Sequence, residues 1–232
     1  MKGGALAAYW KKRDFAITAE PKGEVARTGK KLSFVIQKHA ATRLHYDFRL
    51  ELEGTLKSWA VPKGPSFDPK VRRMAVQTED HPMSYAGFEG VIPKGQYGAG
   101  TVIVWDRGEW IPVGDPVEGY RKGRLKFDLV GEKLRGRWNL VRMGGSRDER
   151  QPPWLLIKEN DEEARSAADY DVVEALPDSV LASKTRRAAP KVAARKAASK
   201  GAAKSAAKAS RGAATGLDLP EGAVKAKLPF AF

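Results

Sequence analysis

From position 32 onward, apolar and polar side chains alternate along short runs at 32–37, 44–52, 57–61, 73–78, 101–106, 124–130, 134–143 and 154–159. Each run is rich in Val, Ile, Phe, Tyr, Trp or Leu, and most are bounded by Gly, Pro or Asp, so each predicts a short strand. No stretch of 1–160 keeps a 3.6-residue apolar period, and 161–168 reads as one short helix. Residues 1–30 look irregular, with a basic-aromatic cluster at Tyr9, Trp10, Lys11, Lys12, Arg13 and Phe15. Short strands separated by turns predict a mainly β fold, either a closed barrel or a sandwich.

The alternation also sorts the chemistry. Along 44–52, Tyr46, Phe48, Leu50 and Leu52 share one face and form a core side. His45, Asp47, Arg49 and Glu51 share the other, roughly 7 Å between successive members. If the strand at 73–78 continues, Arg73, Gln77, Glu79 and His81 share a face with Ala75, and Pro82 ends the ladder. Gln37 and His39 share parity on the first strand. The chain's three histidines, His39, His45 and His81, thus fall within 43 residues beside polar strand faces. Two imidazoles and a carboxylate suit manganese, iron or zinc. Neighbouring guanidinium groups suit phosphate oxygens, so the set points to metal-assisted chemistry on a phosphate. A non-haem iron oxygenase using His45, Asp47 and His81 is the rival enzyme reading.

Charge changes the picture at one end only. Lys and Arg number 42 against 28 acids, a formal net charge of +14. Positions 179–217 hold ten basic residues and no acid, and positions 1–178 carry a net of only +4. The stretch 181–217 is built of Ala, Lys, Ser and Gly, too little apolar surface to offset ordering entropy, and reads as a disordered linker. Such an arm can tether DNA in a salt-sensitive way, and a nonenzymatic basic DNA-binding protein is the third reading. Residues 218–232 turn apolar again, like the approach to a further module. The absence of cysteine excludes disulfides, thiolate metal sites and cysteine nucleophiles. No apolar run reaches the roughly 18–20 residues of a membrane span, and none near the N-terminus suits a secretory signal. The glycine-rich run GQYGAG at 95–100 lacks the Lys-Ser/Thr of a phosphate loop and reads as a sharp turn.

The runs FVIQKHAATRLHYDFRLE, WAVPKGPS and MAVQTEDHPMSYAGFEGVIPKGQYGAGTVIVWD closely resemble the 3′-phosphoesterase domain of bacterial DNA ligase D, across about residues 9–159. The resemblance implies a compact β-barrel with short flanking helices at 31–180, preceded by a contributing segment at 1–30. It implies a manganese-dependent enzyme, with other divalent transition metals as alternatives. Such an enzyme removes a 3′-terminal ribonucleotide and then the 3′-phosphate from DNA, leaving a 3′-OH for ligation in nonhomologous end joining. Carried over by position, the metal ligands are His39, His45 and Asp47. His81 and Arg49 would act on the phosphate with Tyr85, and Arg73, Lys63, Glu79 and Gln37 would support them. Arg13, Asp14 and Glu20 match the family's substrate-binding segment. Implied partners are DNA 3′ ends, ligase and polymerase modules and the Ku end-binding protein, in the cytoplasm at the bacterial nucleoid. The run Lys225-Ala226-Lys227-Leu228-Pro229-Phe230 resembles a junction into a ligase domain, so a fragment of a larger ligase D or a truncated product is expected.

Overall fold

The computed structural model describes residues 4–29, 31–144 and 153–182. The expected linker from residue 183 onward and the expected module at 218–232 lie outside them. Helix α1 (Ala7–Lys11) comes first, followed by β1 (Ser33–Ala40), β2 (Leu44–Leu52), β3 (Thr55–Val61) and β4 (Arg72–Gln77). Then come β5 (His81–Pro82), a 3-10 turn (Met83–Gly87), β6 (Gly90–Ile92) and β7 (Gly100–Pro112). The rest is α2 (Pro116–Lys122), β8 (Arg124–Gly131), β9 (Arg135–Arg142), β10 (Pro153–Lys158) and α3 (Val172–Ala175).

The strands pair in the order β1-β2-β3-β4-β10-β9-β8-β7, and β7 pairs back onto β1. All of these pairings are antiparallel, so eight strands close a barrel, the closed alternative of the strand pattern and the β-barrel with short helices that the family resemblance implies. The eight predicted strands are these eight, and closure removes the free edges that an open sheet would leave. The β2–β3 hairpin turns on Glu53 (φ 53°) and Gly54 (φ 76°), the pair of left-handed residues that a two-residue turn of this twist requires.

Aromatic side chains fill the barrel. Phe34, Phe48, Trp59, Trp105, Trp110, Phe127, Trp138 and Trp154 are buried in one cluster to which all eight ring strands contribute. A second apolar cluster joins Tyr9, Val35, Leu56, Tyr85, Phe88, Ile92, Val104 and Val180. Val35, Leu56 and Val104 have the opposite parity to the core residues of their strands, so this cluster lies on the barrel's outer surface. There α1, the 3-10 turn and β6 cover β1, β3 and β7.

Local chemistry explains three departures from the sequence pattern. Residues 161–168 form turns instead of the expected helix. Asp161 accepts from the backbone N–H groups of Arg137 (2.6 Å) and Glu163 (3.0 Å), which favours a turn over a helix. Helix α2 is too short to show a period, but Asp115 caps it by accepting from Val117 N and Glu118 N, with Pro116 at its start. The third departure is a register slip. β3 pairs with β4 at Trp59↔Gln77, and with β5 at Leu56↔His81. An unbroken ladder would set His81 opposite Thr55, so residues 78–80 hold one extra residue, a β-bulge. The bulge reverses parity: Arg73, Ala75 and Gln77 face the barrel, and His81 faces outward.

Close approach at Gly108 provides a test of this closure. Gly108 pairs with both Phe34 and Gly131, and a Cβ there would lie 2.1 Å from the Val130 carbonyl oxygen. Gly108→Ala is expected to lower stability by about 1–3 kcal/mol as β7 and β8 are forced apart, read by thermal or denaturant unfolding. A variant as stable as the parent would contradict that packing.

Candidate active site

The outward faces of β1, β2 and β3 carry a ladder of polar side chains. Register sets His39 directly opposite His45, Gln37 opposite Asp47, Asp47 opposite Ala60, and Arg49 opposite Ser58. Side chains paired in this way share a face, so the alternation read from β2 alone extends across three strands. His39, His45, Asp47, Arg49 and Ala60 from these strands, with His81 from β5 and Arg13 from the N-terminal segment, line a cleft of about 340 Å³ on the barrel's outer surface.

At one end of the cleft, His39, His45 and Asp47 each offer a ligand atom, all within 4.8 Å of one another. His39 Nδ1 lies 3.5 Å from Asp47 Oδ2, and His45 Nε2 lies 3.7 Å from Asp47 Oδ1. The far side of each ring fixes its tautomer. His39 Nε2–H donates to the Gly98 carbonyl (2.8 Å), and His45 Nδ1–H donates to the Arg43 carbonyl (2.9 Å). The lone pairs of His39 Nδ1 and His45 Nε2 therefore both face the carboxylate, the arrangement that backing hydrogen bonds give metal-bound histidines. Burial opposes ionisation of Asp47, but the Arg49 guanidinium leads the groups that outweigh it and hold the carboxyl below its usual range. Two nitrogens and an ionised oxygen fit a divalent transition metal.

Arg49 forms the floor of the cleft and is 2% exposed. Its Nε donates to Gln37 Oε1 (2.8 Å), Nη1 to Ser58 Oγ (2.8 Å), and Nη2 lies 3.1 Å from Asp47 Oδ2. Nη1 also lies 2.9 Å from His81 Nδ1, so five N–H groups meet four partners and one N–H is left for a ligand. His81 lies between Arg49 and Arg13. Its Nδ1 is 2.9 Å from the Glu79 carbonyl, and its Nε2 is 3.2 Å from Arg13 Nη2. Nε2 can only accept from Arg13, while Nδ1 faces both the Glu79 carbonyl and Arg49 Nη1 (2.9 Å), so guanidinium groups on both sides of the ring favour a neutral imidazole. Burial, reinforced by the Arg49 and Arg13 charges, pushes its pKa well below 6.5.

Arg13 is held by its own partners. Its Nε donates to Glu20 Oε1 (2.8 Å), Nη1 to Glu79 Oε1 (3.1 Å), and its guanidinium lies 3.9 Å from the centre of the Tyr9 ring. The buried Tyr85 hydroxyl donates to Glu20 Oε1 (2.9 Å), and burial raises its pKa, so it stays protonated. Lys12 Nζ bonds Glu79 Oε2 (2.9 Å), and with Arg13 it outweighs burial to keep Glu79 ionised.

Of the residues singled out in the sequence, Arg13, His39, His45, Asp47, Arg49, Glu79, His81 and Tyr85 line the cleft. Gln37 and Glu20 lie just behind it as partners of Arg49 and Arg13. Three others fall elsewhere. Arg73 shares the barrel-facing parity of Ala75, while the bulge after Gln77 turns His81 outward, and the buried Arg73 Nε has no hydrogen-bond partner. Lys63 is exposed on the turn after β3. Asp14 is exposed and holds a local turn by accepting from Ala16 N (3.0 Å). Glu51 shares the face of Arg49 but bonds Ser33 at the strand's other end. His81 does not join the His39–His45–Asp47 donor set, so the His45–Asp47–His81 site of the oxygenase reading is not formed. Sequence reasoning missed Ser58, Lys12, Tyr97 and the Gly98 carbonyl. Ser58 was detectable from its parity with Leu56 and Ala60, and Lys12 from its place in the basic-aromatic cluster.

The sequence model of the family described as DNA Ligase D 3′-phosphoesterase domain matches residues 37–142. The chain is 59% identical over 183 residues to the multifunctional non-homologous end joining protein LigD of Pseudomonas aeruginosa, covering 78% of this chain and 21% of that one. It is 41% identical over 170 residues to the multifunctional non-homologous end joining DNA repair protein LigD of Mycobacterium tuberculosis, covering 72% of this chain and 21% of that one. With the corresponding protein of Mycolicibacterium smegmatis the figures are 38% over 193 residues, 79% and 24%. The chain thus spans about a fifth to a quarter of the length of these relatives. Among the described residues, no helix is long and apolar enough to cross a membrane. The matched barrel strands carry the donor set and the guanidinium floor described above, and the chain carries a domain of the DNA ligase D 3′-phosphoesterase family.

Proposed function

We propose that the cleft is a metal-dependent phosphoesterase centre for DNA 3′ ends. It removes a 3′-terminal ribonucleotide and then the remaining 3′-phosphate, leaving a 3′-OH for ligation in nonhomologous end joining. The observation that carries this reading is the meeting, in one cleft, of a His-His-Asp donor set with two guanidinium groups flanking a neutral imidazole. Charge supports it as well. Arg13, Arg49 and Lys12 are balanced by Glu20, Glu79 and Asp47, so a bound divalent cation would bring the cleft to about the charge that matches a phosphate.

Manganese held by His39, His45 and Asp47 would polarise a phosphoryl oxygen and lower the pKa of bound water. The chain's own residues do the rest. Arg49 and Arg13 hold non-bridging oxygens through N–H groups fixed before substrate arrives, so charge gathering on the phosphoryl group meets donors that need no reorganisation. Glu20 and Glu79 keep Arg13 in place. His81 enters neutral with Nε2 as an acceptor, which leaves charge stabilisation to the two arginines and makes His81 a hydrogen-bond partner rather than a proton donor in the resting cleft. Ligase and polymerase modules and the Ku end-binding protein are the proposed partners, in the cytoplasm at the nucleoid.

The direct test is a 5′-labelled primer–template ending in one 3′-ribonucleotide, incubated with manganese or with EDTA. Manganese-dependent shortening to a 3′-phosphate and then a 3′-OH end, lost in His45→Ala, is expected. An intact primer in manganese would refute the reading. Arg49→Lys keeps the charge but cannot reach Gln37, Ser58 and Asp47 together, so kcat/KM on a 3′-phosphate end is expected to fall about 10²–10³-fold. A loss of less than a few-fold would remove Arg49 from the phosphate. The folded His81 binds its proton less tightly than the unfolded chain does. Its contribution to stability is therefore complete above pH 6.5 and is lost as pH falls below that value. Nitrogen-15 NMR should show its ring still neutral at pH 6.5, and a midpoint at or above 6.5 would contradict the two-arginine environment.

A further inference from the structure

The glycine-rich run at 95–100 does more than turn the chain. It links β6 to β7 through two tight turns, Gln96 N–H to the Pro93 carbonyl (3.1 Å) and Ala99 N–H to the Gln96 carbonyl (3.1 Å). A Cβ on Gly100 would lie 2.4 Å from the Ala40 carbonyl oxygen, so the loop sits directly on the β1–β2 hairpin that bears His39 and His45. The Gly98 carbonyl takes the His39 Nε2–H, and Gly98 itself has a left-handed φ of 75°. One residue earlier, Tyr97 forms a wall of the cleft and is 44% exposed.

Tyr97 is held without being covered. Lys12 Nζ donates to its hydroxyl (3.1 Å) and lies 4.4 Å from the ring centre, while Lys12 is also tied to Glu79. The Arg13 guanidinium lies 5.6 Å from the same ring centre. The other lining tyrosine, Tyr85, is 2% exposed and committed to Glu20. Among the described residues, no Asn or Gln that could read a base edge lines the cleft. Of the two tyrosines that line it, Tyr97 is the one both fixed and exposed.

We infer that Tyr97 is the stacking platform for the 3′-terminal nucleoside, placing its phosphate between Arg13, Arg49 and the His-His-Asp set. This rests on the reading of the cleft as a centre for DNA 3′-phosphoesters. A phosphate held by Arg13 carries its sugar and base out past the Tyr97 ring. Every base has a π-face, so stacking takes any terminal base, which suits an enzyme that must accept ends of any sequence. The same loop fixes His39 through Gly98, so the surface that positions the nucleoside also orients a ligand of the metal set.

The experiment uses the full chain with manganese and a primer–template carrying 2-aminopurine as the 3′-terminal base. A 3′-methylenephosphonate end permits binding without hydrolysis. Binding is expected to quench the 2-aminopurine with the parent chain, Tyr97→Phe and Tyr97→Trp, and to lose most of that quenching with Tyr97→Ala. In parallel, the parent is expected to show a KM about tenfold lower for a base-bearing 3′-phosphate end than for an abasic one, and Tyr97→Ala to lose that preference. Equal quenching by the parent and Tyr97→Ala, or an undiminished preference for the base in that variant, would overturn the inference. If the parent removed no phosphate from any end, the phosphoesterase reading would fail instead, while the quenching would still report on stacking.

Discussion

A guanidinium buried at 2% exposure must be compensated on several sides, and the environment of Arg49 organises the cleft. Moving such a charge out of water costs several kcal/mol unless hydrogen bonds and opposite charge replace the lost solvation. Gln37, Ser58 and Asp47 do so from three adjacent strands, which requires β1, β2 and β3 to stay in their observed register. Asp47 then faces two ways. Its Oδ2 lies against both Arg49 and His39, and its Oδ1 lies against His45. The His-His-Asp cluster and the buried guanidinium are thereby tied to one another by a single carboxylate.

The barrel's interior is closed to chemistry because aromatic side chains fill it. The site is built outside instead, where the N-terminal segment, the 3-10 turn and the loop before β7 wall off the strand faces. This makes residues that precede the barrel part of the cleft. Arg13 packs over the buried Tyr9 ring, whose hydroxyl donates to the Pro21 carbonyl (2.6 Å), and from there it meets His81. The same buried pocket holds Glu20, which joins Arg13 to Tyr85.

Period-two alternation was enough to predict all eight ring strands, and on β2 it separated Tyr46, Phe48 and Leu50 from His45, Asp47 and Arg49. It could not predict the cross-strand register that sets His39 opposite His45, because pairing depends on turn lengths and closure rather than on either strand alone. It also set Arg73 on the face of His81, although one extra residue between Gln77 and His81 reverses every side chain after it. Lys63 and Asp14 came from the family resemblance, and neither reaches the cleft in this structure. Tyr97 was passed over because a run of glycines reads as a turn whatever the one aromatic within it does. Helix α2 and strands β5 and β6 were too short for any period to show.

The central claim is that one divalent metal is held jointly by His39, His45 and Asp47, on a scaffold already arranged for it. Electron paramagnetic resonance of manganese titrated into the full chain tests this without relying on turnover. One ion bound per chain is expected, with affinity reduced at least about tenfold in His45→Ala and in Asp47→Asn. Manganese binding of unchanged strength in both variants, or none in the parent chain, would contradict the account.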